Sequence, residues 1–262
     1  MTAAVAALQA TGLCKRFGAL QVTQGVDLSL CAGTRTALIG PNGAGKTTLV
    51  NLLTGVLRPD AGSLRLFGEE VTAAPAAVRT RKGLVRTFQI SSLFAQLTVF
   101  ENVFIAVAQA AGRGFSLWRV AGRQRDLLER TEALLERMKL KTDMHRKVSE
   151  IAYGRQRLVE IAIALALRPR VLLLDEPAAG IPSTELDLLH GAIDTLPPEI
   201  AVLMIEHDME IVRRFASEVA VLVNGAVLMS GKPREVMAHP QVQAVYLGTA
   251  GQRRFEGALA YA

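Results

Sequence analysis

Cysteine is nearly absent, with only Cys14 and Cys31 in 262 residues. Neither falls in a CxxC or Cys/His spacing, so a zinc-type site is not expected. Reduced thiols in a cytoplasm are the expectation. The opening residues, Met1-Thr2-Ala3-Ala4-Val5-Ala6-Ala7-Leu8, have no basic start and too short an apolar core for a signal peptide. Long apolar runs are also missing. The richest, 161–174, is broken by Arg168, Pro169 and Arg170. None reaches the roughly 18 residues a membrane span needs. The chain is therefore expected to be soluble, or held at a membrane by a partner. Internal repeats and low-complexity segments are absent as well.

Aromatic residues make up only 5% of the chain. This matters because the net charge is +6. The basic residues are scattered (Arg79, Arg81, Lys82, Arg86; Arg119, Arg123, Arg125), with few aromatics between them. That pattern argues against nucleic acid as a partner. It suits solvated surface cations or attraction to anionic lipid.

What is present is globular. Half the residues are hydrophobic, with 22 glycines and 10 prolines. The length allows one large domain, or one domain with an insertion. Residues 36–39 form a short β-type run leading into a Gly-rich turn, and 46–57 read as a helix. Val171-Leu172-Leu173-Leu174-Asp175 is a continuous apolar run closing on acid, as a buried parallel strand should be. Residues 201–205 form another, ending at Glu206-His207-Asp208. The runs 219–223 and 226–229 flank Asn224-Gly225, a hairpin signal. Strands alternating with helices predict an α/β sheet with helices on its faces.

The middle, from about 99 to 167, has helical spacing. Leu127, Leu128, Thr131, Leu134, Leu135 and Met138 form an i, i+3/i+4, i+7 stripe. Residues 155–167 are a second helical stretch. This section is expected to be a helical subdomain inserted into the α/β core.

Gly40-Pro41-Asn42-Gly43-Ala44-Gly45-Lys46-Thr47 fits GxxxxGK[ST], and Thr48 extends it. Glycines at 40, 43 and 45 allow a tight turn whose N–H groups point inward at phosphate oxygens. The helix starting at Lys46 adds its positive dipole end. Lys46 supplies a full charge to the β- and γ-phosphates, and Thr47 offers a hydroxyl to Mg²⁺. Ligands bind at the carboxyl ends of parallel strands, so Asp175 and Glu176 should face those phosphates. Asp175 is expected to hold Mg²⁺ and Glu176 to polarise the attacking water. The same pair would also suit a helix start before Pro177.

The order of motifs resembles the ATP-binding cassette family over nearly the whole chain. Arg86-Thr87-Phe88-Gln89 resembles its glutamine loop. Ile151-Ala152-Tyr153-Gly154-Arg155-Gln156 sits where its signature should be, and Ile205-Glu206-His207-Asp208 resembles its histidine switch. The resemblance implies one cassette domain over 1–262. It would have an α/β core (1–90 and 168–237) with an antiparallel N-terminal β subdomain, an inserted helical subdomain (91–167) and a tail (238–262).

The resemblance also implies a mechanism. Two cassettes pair head to tail, each ATP lying between one phosphate loop and the other copy's Ala152-Tyr153-Gly154. Gln89 senses the γ-phosphate and Mg²⁺ and links the site to a membrane permease. His207 contacts the γ-phosphate and holds the geometry of the water and Glu176. Phe17 lies where the family stacks an aromatic on adenine, although alone it would read as core or hairpin packing.

Two regions depart from the family pattern. Ala152 replaces the usual signature serine, Tyr153 its first glycine and Arg155 its glutamine. Pro182 stands where a loop aspartate is frequent. Together with Val85-Arg86-Thr87-Phe88-Gln89, Asp175-Glu176-Pro177-Ala178-Ala179-Gly180 and the tail His239-Pro240-Gln241-Val242-Gln243-Ala244-Val245-Tyr246-Leu247-Gly248, these features resemble the LivG-type ATPases of branched-chain amino acid importers. The implied protein hydrolyses ATP at the cytoplasmic face of the membrane. It works with permease subunits and a second ATPase subunit, and a solute-binding protein acts indirectly. An importer of urea, amides or aromatic acids, an exporter of envelope lipid, and a nucleotide switch without turnover remain alternatives.

Overall fold

A computed structural model describes residues 6–87, 93–112 and 125–247. In chain order its elements are β1 (Ala6–Phe17), β2 (Leu20–Cys31), β3 (Arg35–Ile39), α1 (Lys46–Thr54), β4 (Ala61–Leu66), β5 (Glu69–Glu70), α2 (Ala76–Arg81) and β6 (Leu84–Arg86). Then come α3 (Val99–Ala110), α4 (Arg125–Arg137), α5 (Tyr153–Ala166), β7 (Val171–Asp175), α6 (Leu186–Asp194) and β8 (Ala201–Ile205). The last are α7 (Met209–Phe215), β9 (Glu218–Val223), β10 (Ala226–Gly231), α8 (Pro233–Ala238) and α9 (Pro240–Leu247).

The chain divides into two compact units. The first comprises Met1–Leu84, Arg170–Glu176 and Pro198–Ala262, and the second Val85–Pro169 and Pro177–Pro197.

The first unit carries the sheets, save Val85 and Arg86 of β6. One has the order β2-β1-β4-β5, all antiparallel. The other has the order β10-β9-β3-β8-β7-β6. Its centre is parallel: β3 pairs with both β8 and β9, and β7 with β8. The expected α/β sheet and antiparallel β subdomain are both present. All five residues of β7 and of β8 are buried, as uninterrupted apolar runs require of strands covered on both faces. The Asn224-Gly225 hairpin is also found. Both residues have positive φ (48° and 79°), as a two-residue type I′ turn demands, and Ala226 pairs with Val223 across it.

Helix α1 is shorter than the expected 46–57. Gly55, at φ 80°, takes the left-handed conformation and closes the helix after Thr54. Arg79, expected on the surface, is 1% exposed. Its guanidinium donates to the carbonyls of Leu52, Leu53, Thr72 and Ala74. It thereby satisfies the last carbonyls of α1 and places a cation at the negative end of that helix.

The second unit carries α3 to α6. Helix α3 opens on a capping box: Thr98 accepts the Glu101 N–H, and Glu101 accepts the Thr98 N–H. Along α4 the apolar stripe buries Leu127, Thr131 and Leu135, and Met138 just beyond its end. Leu128 departs from the reading, being 38% exposed. Its position, one residue past Leu127, turns it about 100° away from the buried line. Residues 177–197, including α6, pack within this unit.

Candidate functional site

Strand β3 ends in the phosphate loop at the centre of the six-stranded sheet. Gly40 is pressed against the carbonyl of Leu222, leaving no room for a Cβ. Gly43 and Gly45 both have positive φ (79° and 98°). A Cβ on Gly45 would lie 2.7 Å from the carbonyl of Val22, whereas one on Gly43 would meet nothing within 4 Å. Glycine is thus required at 40 and 45 by packing and at 43 by backbone conformation. Gly45 is the N-cap of α1, whose first turn carries no acidic residue. The partial positive charge at that helix end therefore faces no carboxylate of its own turn, as an anion site needs.

The Lys46 ammonium donates to the carbonyls of Gly40 (2.7 Å) and Pro41 (3.0 Å) of its own loop. Burial lowers its pKa, while the charges of Glu176 and Asp175 raise it in part. This coupling brings the loop lysine and the acidic strand end into one electrostatic group. Asp175 is 5% exposed. Glu176 has φ 46° and donates its N–H to the carbonyl of Ile205 at 3.0 Å. A non-glycine residue in this left-handed region is held there by its surroundings, an arrangement common at functional sites.

Strands β7 and β8 run in register from Val171–Ala201 to Asp175–Ile205. Glu206 and His207 follow at the same sheet end as Glu176. Glu206 is 1% exposed and accepts the His207 N–H at 3.2 Å. His207 is half-exposed, with its Nδ1 3.9 Å from the same carboxylate. Asp208 caps α7 by accepting N–H groups of Glu210 and Ile211. Asn42 on the loop and Thr47 in the first turn of α1 are exposed, Thr48 is half-buried and Ala44 is buried. Phe17 closes β1 opposite Leu20, 47% exposed, with the Lys15 ammonium 5.8 Å from its ring centre.

Ala152-Tyr153-Gly154 lies in the second unit, at the start of α5. Ala152 is the N-cap and supplies no side-chain acceptor. The N–H of Gly154 instead donates to the carboxylate of Glu185 at 3.0 Å. Tyr153 is held by Arg157, which donates to its hydroxyl at 2.5 Å and lies 5.0 Å from its ring centre. Arg155 pairs with the buried Asp143, which also binds Arg146 at 3.1 Å. Gln89, expected at the site, lies outside the described residues.

Two supports escaped the sequence reading. The Gly225 N–H donates to the carbonyl of Ala44 at 3.0 Å, so the hairpin turn braces the phosphate loop. Tyr246 of α9 packs on the cluster containing Ile39 and Val221, with its hydroxyl toward the backbone of Gly40. Burial pushes the pKa of that phenol up.

Residues 23–179 match the family model described as ABC transporter. The chain belongs to the ABC transporter family. Residues 226–251 of this cassette match a second model, described as branched-chain amino acid ATP-binding cassette transporter. The cassette is 40% identical over 250 residues to the high-affinity branched-chain amino acid transport ATP-binding protein BraF of Pseudomonas aeruginosa, covering 93% of this chain and 98% of that one. It is 38% identical over 250 residues, with the same coverage, to LivG of Escherichia coli K12. Among solved structures it resembles a nucleotide-free ATP-binding cassette from an ABC transporter (TM-score 0.79, 28% identity, 92% of this chain and 98% of that chain). It also resembles an ATP-binding cassette in its ADP conformation (TM-score 0.81, 28% identity, 93% and 99%). The fold is that of an ABC ATPase. Among the described residues, no helix is long and apolar enough to cross a membrane.

Proposed function

We propose that this cassette hydrolyses ATP to drive uptake of branched-chain amino acids through a membrane permease, from the cytoplasmic face of the membrane. The observation that carries the reading is the electrostatic group of Lys46, Asp175 and Glu176 at the mouth of a glycine loop that opens a helix. The match at 226–251 and the names of the relatives support the choice of solute class.

In this reading the loop N–H groups from Gly43 to Thr48 and the α1 N-terminus bind the phosphates. Lys46 turns from the carbonyls of Gly40 and Pro41 to the β- and γ-phosphates. Phe17 offers its exposed ring to adenine. Glu176, fixed by its bond to Ile205, polarises the attacking water. His207, oriented by buried Glu206, contacts the γ-phosphate. Thr47, Asp175 and Gln89 offer hard oxygen donors, which fit Mg²⁺. The ion would neutralise charge on the phosphates.

A second ATPase subunit completes the site with its own Ala152-Tyr153-Gly154, and ATP closes the pair. A solute-binding protein delivers the amino acid to the permease and reaches this chain only indirectly. Replacing Lys46 by Ala in the transporter tests the reading. Loss of ATP-dependent uptake with assembly intact supports it, and undiminished uptake refutes it.

A further inference from the structure

The bond between Gly154 and Glu185 joins two segments that the sequence keeps apart by 31 residues. Helix α5 lacks the capping side chain that a serine would provide, since Ala152 has no oxygen to offer. The carboxylate of Glu185 takes the N–H of Gly154, two positions past the cap, which a capping serine would ordinarily bind. The fit is close, because a Cβ on Gly154 would run into the Glu185 carboxylate. No acidic residue of the first turn of α5 competes for the place. An anion therefore already sits at the helix end that the proposed function assigns to the γ-phosphate held by the other subunit.

We propose that Glu185 is an internal occupant of the signature, a carboxylate that holds the phosphate's place and must withdraw before two cassettes close on ATP. The inference rests on the composite-site reading of Ala152-Tyr153-Gly154. One N–H cannot serve both a carboxylate and a phosphate, and two anions at one helix terminus repel. ATP-driven closure thus carries the cost of displacing Glu185. In return the uncapped helix stays satisfied while the cassettes are apart. Such a device sets the ATP level at which the cassettes close.

The experiment measures ATP dependence of hydrolysis in the transporter complex purified with this chain, comparing wild type with Glu185→Gln. Glutamine keeps the size and one acceptor but loses the charge. The proposal predicts that half-saturating ATP falls about fivefold with kcat not reduced, reflecting a neutral acceptor in place of a charged one at this N–H. Glu185→Asp, one methylene shorter, should weaken the bond to Gly154 and shift it the same way. A purely structural cap predicts the opposite: a lower melting temperature with half-saturating ATP unchanged or raised. That result, in variants whose circular dichroism matches wild type, overturns the proposal. Lys46→Ala serves as the control. If it leaves hydrolysis intact, the phosphate-loop reading has failed. If it abolishes hydrolysis while Glu185→Gln changes nothing, only the role of Glu185 has failed.

Discussion

Arg79 donates from one guanidinium nitrogen to the carbonyls of Leu52 (2.6 Å) and Leu53 (2.7 Å), in the last turn of the helix that begins at Lys46. Helix α2 thereby supplies the cation that closes the helix opened by the glycine loop. Replacing Arg79 by Met keeps apolar bulk but leaves buried carbonyls without donors. The expected loss is about 2–4 kcal/mol of stability, given roughly 1 kcal/mol for each of several hydrogen bonds. Urea unfolding of the full chain checks it, and a midpoint equal to wild type would contradict it.

Gly225 braces the loop from the other side. It sits at φ 79° and its Cα faces the carbonyl of Val22 so closely that a Cβ cannot fit. Gly225→Ala should therefore cost about 1–3 kcal/mol from backbone strain and crowding. Because the Gly225 N–H holds Ala44, ATP affinity should fall as well. Calorimetric titration with ATP separates the outcomes, since loss of stability with unchanged affinity would show that the turn does not support the loop.

Lys46 predicts two opposed responses to pH. Burial lowers its pKa below the ordinary 10.5. Only the ammonium attracts phosphate, so ATP affinity should be full below the lowered value and fall as pH rises through it. The unfolded chain keeps the ordinary value and binds more protons in the window between the two. Stability without nucleotide should therefore rise with pH there, and this contribution is lost as pH falls through the folded value. Affinity and melting temperature measured from pH 8 to 10.5 should diverge. In Lys46→Met both pH dependences should flatten.

The strands, the hairpin and the phosphate loop were legible in the sequence because each is a local pattern. A continuous apolar run closing on Asp175 can be read without knowing its neighbours, as can Asn-Gly between two β-type runs. Arg79 was misread because its partners at Leu52 and Leu53 lie 27 and 26 residues away, and local context showed only a cluster of cations. Glu185 and the Gly225–Ala44 brace stayed hidden for the same reason. Leu128 was misplaced because the apolar pattern alone did not separate the buried line from its neighbour. The identity of residue 152 was legible, but not the consequence that a carboxylate from another segment would cap α5.

In the proposed mechanism Glu176 activates the water that attacks ATP held on the loop from Gly40 to Thr48. The decisive measurement is phosphate release by the assembled transporter with Glu176→Gln. Loss of turnover by two orders of magnitude or more, about the usual contribution of a general base, with ATP affinity retained, is the predicted result. Turnover unchanged from wild type would contradict the account.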